Sequence, residues 1–151
     1  MILVDGDACP VKEETYRVAR RYNLPVRVVT NSFLRVPQEP LIERILVDSG
    51  FDAADNWIAE RAGPSTIVIT ADILLADRCV KAGATVLGPN GRAFDAQSIG
   101  SAVANRALME DLRAMDAVRG GPPPFSKTDR SNFLSALDQA ANRLIRSRPS
   151  A

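Results

Sequence analysis

The chain has 151 residues, 46% of them hydrophobic and 25% charged, and a formal net charge of +1. These are the proportions of a single globular domain long enough to bury a core, and no apolar run approaches the ~20 residues needed to span a bilayer. The sequence contains no histidine, which excludes histidine bases, histidine metal ligands and both Ser-His-Asp and Cys-His catalysis.

The opening "MILVDGD" has no basic region and no cleavage-like site, so it reads as a strand rather than a signal peptide. The expected location is therefore the cytoplasm, with Cys9 and Cys79 as free thiols and no zinc-like spacing between them. "ILVD" (2–5) is the first strand, and a helix follows from about Pro10, a residue suited to a first helical turn. "VRVVTN" (26–31) is rich in β-branched residues and predicts the second strand. In "PLIERILVDSG" (40–50) a helical turn is expected to precede a short third strand, "RILVD". "DAADNWIAERAG" (52–63) reads as a helix closed by Gly63 and Pro64.

"TIVITAD" (66–72) is the clearest strand, followed by the helix "ILLADRCVKAG". "ATVLGPNGRAF" (84–94) predicts a strand and a turn, with Asn90-Gly91 as the turn signal. Beyond it Ile99, Val103, Leu108, Leu112 and Met115 keep one helical face apolar. Phe133, Leu134, Leu137, Ala141, Leu144 and Ile145 do the same in a last helix. Residues 119–128 form a Gly/Pro loop between these helices, and 146–151 a basic tail. Nearly all-apolar strands alternating with helices imply a three-layer α/β/α domain with a mostly parallel central sheet, followed by C-terminal helices.

The acids fall into a pattern on this scheme. Asp5 and Asp7 end the first strand, Asp52 and Asp55 open the helix after the third, Asp72 ends "TIVITAD" and Asp77 lies in the helix beyond. In an open parallel sheet the carboxyl ends of all strands face one crevice. Asp52 and Asp72 could instead be plain helix caps, with Asp55 favoured in a first turn. Capping, however, needs one side chain per helix, and two unit charges ~4 Å apart repel by about 4 kcal/mol at an effective dielectric near 20. A convergent set must therefore take up protons or bind a cation. Oxygen donors without His or Cys favour Mg²⁺ or Mn²⁺. Setting these six acids aside from the chain's 18 leaves a charge of +7 against its 19 Lys and Arg, as suits an acidic pocket on a basic body that handles a polyanion.

"VDGDACPV", "GFDAADNWI", "VITADILLADRC" and "GGPPPFSKTDRSNF" together resemble the YaiI/YqxD family of uncharacterised bacterial proteins. The match runs in order over nearly the whole chain, with Gly6 where Ala is common. That family is similar to the PIN-like nuclease superfamily, which implies acids at the strand ends of a parallel sheet, bound Mg²⁺ or Mn²⁺, and cleavage of RNA. By position, the resemblance assigns such roles to Asp5, to Asp55 or Asp52, to Asp72 and to Asp77. Asp7 belongs to the narrower family.

The expected activity is metal-dependent phosphodiester hydrolysis, with nucleic acid, RNA above all, as partner. Asp5, Asp52, Asp55 and Asp72 are the candidate metal ligands. Asp7 or Asp77 would orient water or fill a second metal site. Thr70 and Asn31 are candidate substrate contacts near strand ends, and Lys12, Lys127 and Arg130 candidate phosphate contacts. Sparse aromatic residues argue against a dedicated single-strand stacking groove. A homodimer would extend a nucleic-acid surface. Two alternatives stand beside this reading. "DGDACPV" resembles the opening of haloacid-dehalogenase phosphatases, in which Asp5 would attack phosphorus. The acids could also hold a metal without catalysis in a nucleic-acid-binding protein. A Cys9 nucleophile is disfavoured by the flanking acids.

Overall fold

The computed structural model describes residues 1–6, 9–48, 50, 52–100 and 125–146. Among them the elements run β1 (Ile2–Asp5), α1 (Lys12–Tyr22), β2 (Val26–Thr30), β3 (Ile42–Leu46), α2 (Ala53–Arg61), β4 (Ile67–Ile69), α3 (Ile73–Lys81), β5 (Thr85–Leu87), β6 (Ala93–Phe94) and α4 (Lys127–Arg146). A helix also begins at 96–100, and its expected continuation through Val103, Leu108, Leu112 and Met115 lies outside the described residues. So do most of the Gly/Pro loop and the basic tail after Arg146.

The strands form one sheet in the order β3-β2-β1-β4-β5-β6. The first five are parallel, and β6 returns antiparallel to β5. This is the expected mostly parallel α/β arrangement. Successive strands step outward from β1 to β3, and the chain then crosses back to place β4 on the other side of β1. The β1–β4 boundary is thus a topological switch point, where the flanking connections diverge and leave a crevice above the carboxyl ends.

Both faces of the sheet are covered. Ile2, Val4, Val26, Val28, Ile67 and Ile69 point to the layer built by α1 and α4, where Tyr16, Phe133 and Leu137 are buried. Leu3, Val29, Val68 and Val86 point the other way, onto Ile58 of α2 and Leu75, Ala76 and Cys79 of α3. This period-2 sorting of runs apolar on both sides is why the strands read as continuous hydrophobic stretches. Burial at Phe133, Leu137, Ala140 and Ala141 gives α4 one apolar stripe, and Arg21 ties it to α1 through Asp138 at 2.7 Å.

Two local expectations are corrected. The first helix starts at Lys12 with Val11 in the capping position, so Pro10 precedes the helix rather than opening it. Residues 40–43 do not make a helical turn. Instead Ile42 and Glu43 already belong to β3, paired with Val26 and Arg27, because the ladder with β2 supplies backbone bonds that an isolated turn cannot.

The Asn90-Gly91 signal does mark the turn between β5 and β6. Gly91 has φ of +86°, and a Cβ there would lie 2.6 Å from the backbone of Asn132. This turn is pressed against α4, and only glycine meets both demands.

Candidate functional site

The site begins with a register. β1 and β4 are adjacent and parallel, with Val4 opposite Ile69, so Asp5 and Thr70 come next side by side at the carboxyl edge. Thr70, 2% exposed, donates from Oγ1 to Asp5 Oδ2 at 3.0 Å. The same oxygen accepts the backbone N–H of Asp72 at 3.0 Å. A hydroxyl has one proton, so the bond to Asp5 fixes which way it points.

Asp72 is the N-cap of α3, and its Oδ1 accepts from the N–H of Leu74 at 2.9 Å and of Leu75 at 3.4 Å. Capping and site membership therefore coexist in this residue. Asp52 occupies the same position before α2 but makes no side-chain cap bond, so the capping alternative fails to account for it. Asp5, Thr70, Asp72, Cys9, Ile73 and Pro89 line a cleft of about 380 Å³.

Asp55, in the first turn of α2, is the carboxyl on which the other acids act. Burial pushes its carboxyl up to about 6, reinforced by the negative charges of Asp72, Asp5 and Asp52. A first-turn carboxylate should otherwise be favoured by the helix dipole. The opposing pull comes from Arg78, which reaches from α3 to α2 and donates to Asn56 Oδ1 at 2.9 Å. Sequence reading missed Arg78, and no local signal announces it, because its role depends on how α2 and α3 pack.

The other candidates fall elsewhere. Asp77 is drawn to Lys81 on its own helix at 2.9 Å and is not among the main charges acting on Asp55. Asp7 lies outside the described residues. The Lys12 ammonium donates to Gly6 O at 3.3 Å and Cys9 O at 3.0 Å, which makes it a clamp on the loop beside the cleft. Asn31 is exposed directly after β2. Lys127 is exposed at the start of α4. Arg130 holds α4 to the start of α1, donating to Pro10 O at 2.7 Å and Glu14 Oε1 at 3.2 Å, with Phe125 stacked against it. Burial raises the Cys9 thiol, which keeps it protonated and a poor nucleophile at neutral pH.

The donor chemistry suits a hard cation. Among the described residues no three Asp, Glu or Cys side chains gather closely enough to enclose an ion. The arrangement is that of an open edge and not a closed cage. Mg²⁺ commonly takes one or two carboxylates and keeps several waters, and Asp5 and Asp72, which both line the cleft, are donors of that kind.

Comparison with known proteins agrees with the motifs. The model of a family described as "Uncharacterized BCR, YaiI/YqxD family" matches residues 3–143. A UPF0178 protein of Sphingopyxis alaskensis is 65% identical over 147 residues, covering 97% of this chain and 96% of its own. A UPF0178 protein of Rhodopseudomonas palustris strain TIE-1 is 60% identical, covering 97% and 93%. One from Bradyrhizobium diazoefficiens is 60% identical, covering 97% and 88%. No solved structure matches the chain. No helix among the described residues is long and apolar enough to cross a membrane. The chain belongs to the YaiI/YqxD family.

Proposed function

We propose that this member of the YaiI/YqxD family is a Mg²⁺- or Mn²⁺-dependent nuclease of PIN-like type that hydrolyses phosphodiester bonds, with RNA as its substrate. The observation that carries the reading is the delivery of Asp5 and Asp72 to one cleft at the switch-point crevice of a parallel sheet, with Asp55 in the first turn of α2 pushed up to about 6 by burial and, after it, by the charges of Asp72, Asp5 and Asp52. The part of that shift that is like-charge repulsion is tolerated most readily where a cation neutralises it.

Asp5 and Asp72 would hold the metal, with Asp55 or Asp52 completing the set. When bound, the ion would supply charge neutralisation at the phosphate and a lowered pKa for water. The chain's own residues supply position. Thr70 fixes the Asp5 carboxylate and the α3 backbone fixes Asp72. The basic residues outside the pocket suit a polyanionic substrate.

The test is Mn²⁺ titration by calorimetry on the wild type and on Asp5→Asn, with labelled single-stranded RNA incubated in the same samples. The expected result is Mn²⁺ binding and cleavage in the wild type, both lost together in the variant. Unchanged Mn²⁺ affinity in Asp5→Asn would overturn the site. Binding without cleavage in either protein would return the site to a non-catalytic metal-binding role, and a trapped aspartyl-phosphate on Asp5 would favour the phosphatase alternative.

A further inference from the structure

Phe33, in the segment after β2, is 76% exposed, more than Leu46 at 59% or Leu74 at 53%. A single exposed apolar side chain is ordinary, but this one is part of a built arrangement. The Arg44 guanidinium lies over its ring at 4.7 Å from the centroid. Arg44 is held there by its own bond to Leu34 O, 3.1 Å from Nη1. Arg35 is the next residue but one after Phe33, and a hollow of about 430 Å³ is lined by Phe33, Arg35, Val36 and Arg44.

Charge sets this hollow apart as well. Its acids are already engaged, Glu43 by Arg27 at 3.2 Å and Glu39 by Arg20 at 2.8 Å. Arg35 and Arg44 enter no ion pair with the described residues. The turn preceding Phe33 is pinned, with Thr30 Oγ1 bonded to the carbonyl of Ser32 at 3.0 Å and to its N–H at 3.2 Å. Leu34, the residue after Phe33, packs beside the end of β1. A Cβ on Gly6, the residue after Asp5, would lie 3.5 Å from Leu34 Cδ2 and 3.0 Å from Val29 O.

We propose that Phe33, backed by Arg44 and flanked by Arg35, is a stacking platform for one unpaired base of a single-stranded RNA whose backbone continues toward the Asp5 edge. The guanidinium occupies one face of the ring, so a base stacks on the other, and the two arginines meet the adjacent phosphates. Stacking of this kind ignores base identity but requires an unstacked base, which makes single strands the substrate class. Unpaired cations around the ring favour a polyanion over an apolar protein surface. One ring serves one base, which is compatible with the sparse aromatics of the sequence. The inference rests on the nuclease reading for the identity of the polymer, and its primary readout is binding in EDTA, with a separate Mn²⁺ cleavage assay to tell the two readings apart.

The test is fluorescence anisotropy of a short labelled oligouridylate, and of a duplex of equal length, with EDTA present to prevent metal-dependent hydrolysis. Phe33→Ala should weaken single-strand binding about tenfold, Phe33→Trp should retain it, and the duplex should bind more weakly and ignore both changes. Arg35→Gln should reduce the slope of log affinity against log salt by about 0.7. Wild-type affinity in Phe33→Ala, an equal loss for duplex, or no oligonucleotide binding by the wild type would each overturn the platform, the last in favour of a protein partner. Mn²⁺-dependent cleavage that is indifferent to Phe33 would overturn the platform and leave the nuclease reading standing. Phe33-dependent binding without cleavage would do the reverse.

Discussion

Thr70 Oγ1 donates to Asp5 Oδ2 at 3.0 Å across the boundary between β4 and β1. The hydroxyl also receives the Asp72 N–H, so one buried group orients both acids of the cleft. Thr70→Val preserves shape but removes both bonds. Because a hydrogen bond to a charged group contributes about 1.5–3 kcal/mol, the variant should lose stability of that order in urea denaturation. Its Mn²⁺ affinity should fall about tenfold, as for loss of a supporting bond to a metal ligand. Thr70→Ser should recover both properties.

Asp72 separates capping from charge. Asn is as good an N-cap as Asp, so Asp72→Asn should unfold within a few tenths of a kcal/mol of the wild type while Mn²⁺ binding falls at least tenfold. Asp72→Ala should lose the binding and about 1 kcal/mol of stability besides. If the Asn variant kept its Mn²⁺ affinity, Asp72 would be a cap and nothing more.

Asp55 gives a pH dependence of definite sign. Its carboxyl is raised to about 6 by burial and by Asp72, Asp5 and Asp52, against ~3.9 in an unfolded chain. The folded state therefore holds this proton more tightly, and metal-free stability should fall as pH rises from about 4 to about 6. Asp55→Asn removes that penalty. It should be more stable than the wild type at pH 7, by about 1 kcal/mol after allowance for solvent screening, or roughly 2–4 °C in Tm. The gain should vanish below about pH 4. Adding Mn²⁺ should stabilise the wild type by mass action and narrow the gap. Thermal melts at several pH values in EDTA and in Mn²⁺ measure both effects.

Gly91 tests the packing of the β5–β6 turn on α4. Gly91→Ala demands a strained positive φ and brings a methyl group to 2.6 Å from the Asn132 backbone. The expected loss is about 2 kcal/mol or more, seen as a lowered urea midpoint with an unchanged slope. Gly50→Ala, where an added Cβ meets nothing within 4 Å, should be close to neutral.

Much of this was legible along the chain. β-branched runs marked β1, β2 and β4, and the stripe of Phe133, Leu137 and Ala141 marked α4. Acids directly after apolar runs pointed to the carboxyl edge because a strand that ends in Asp delivers it there whatever its neighbours. Side-chain direction around a helix was harder to read. Asp77 and Asp72 look alike in "TADILLAD", yet one pairs with Lys81 and the other caps α3. The Arg44–Phe33 stack was hidden because it depends on how the segment after β2 folds back beside β3.

By itself the sequence determined the alternation of strands and helices from β1 to β5, the apolar faces that pack them and the placement of acids after strands, but not β6. These follow from local propensity and periodicity, which act over a few residues. The sheet order was decided only in the tertiary structure. It puts β1 beside β4, so that Asp5 meets Thr70 across 65 residues of chain. Which strands become neighbours depends on burying both faces of the whole sheet at once, a condition that no single segment can express.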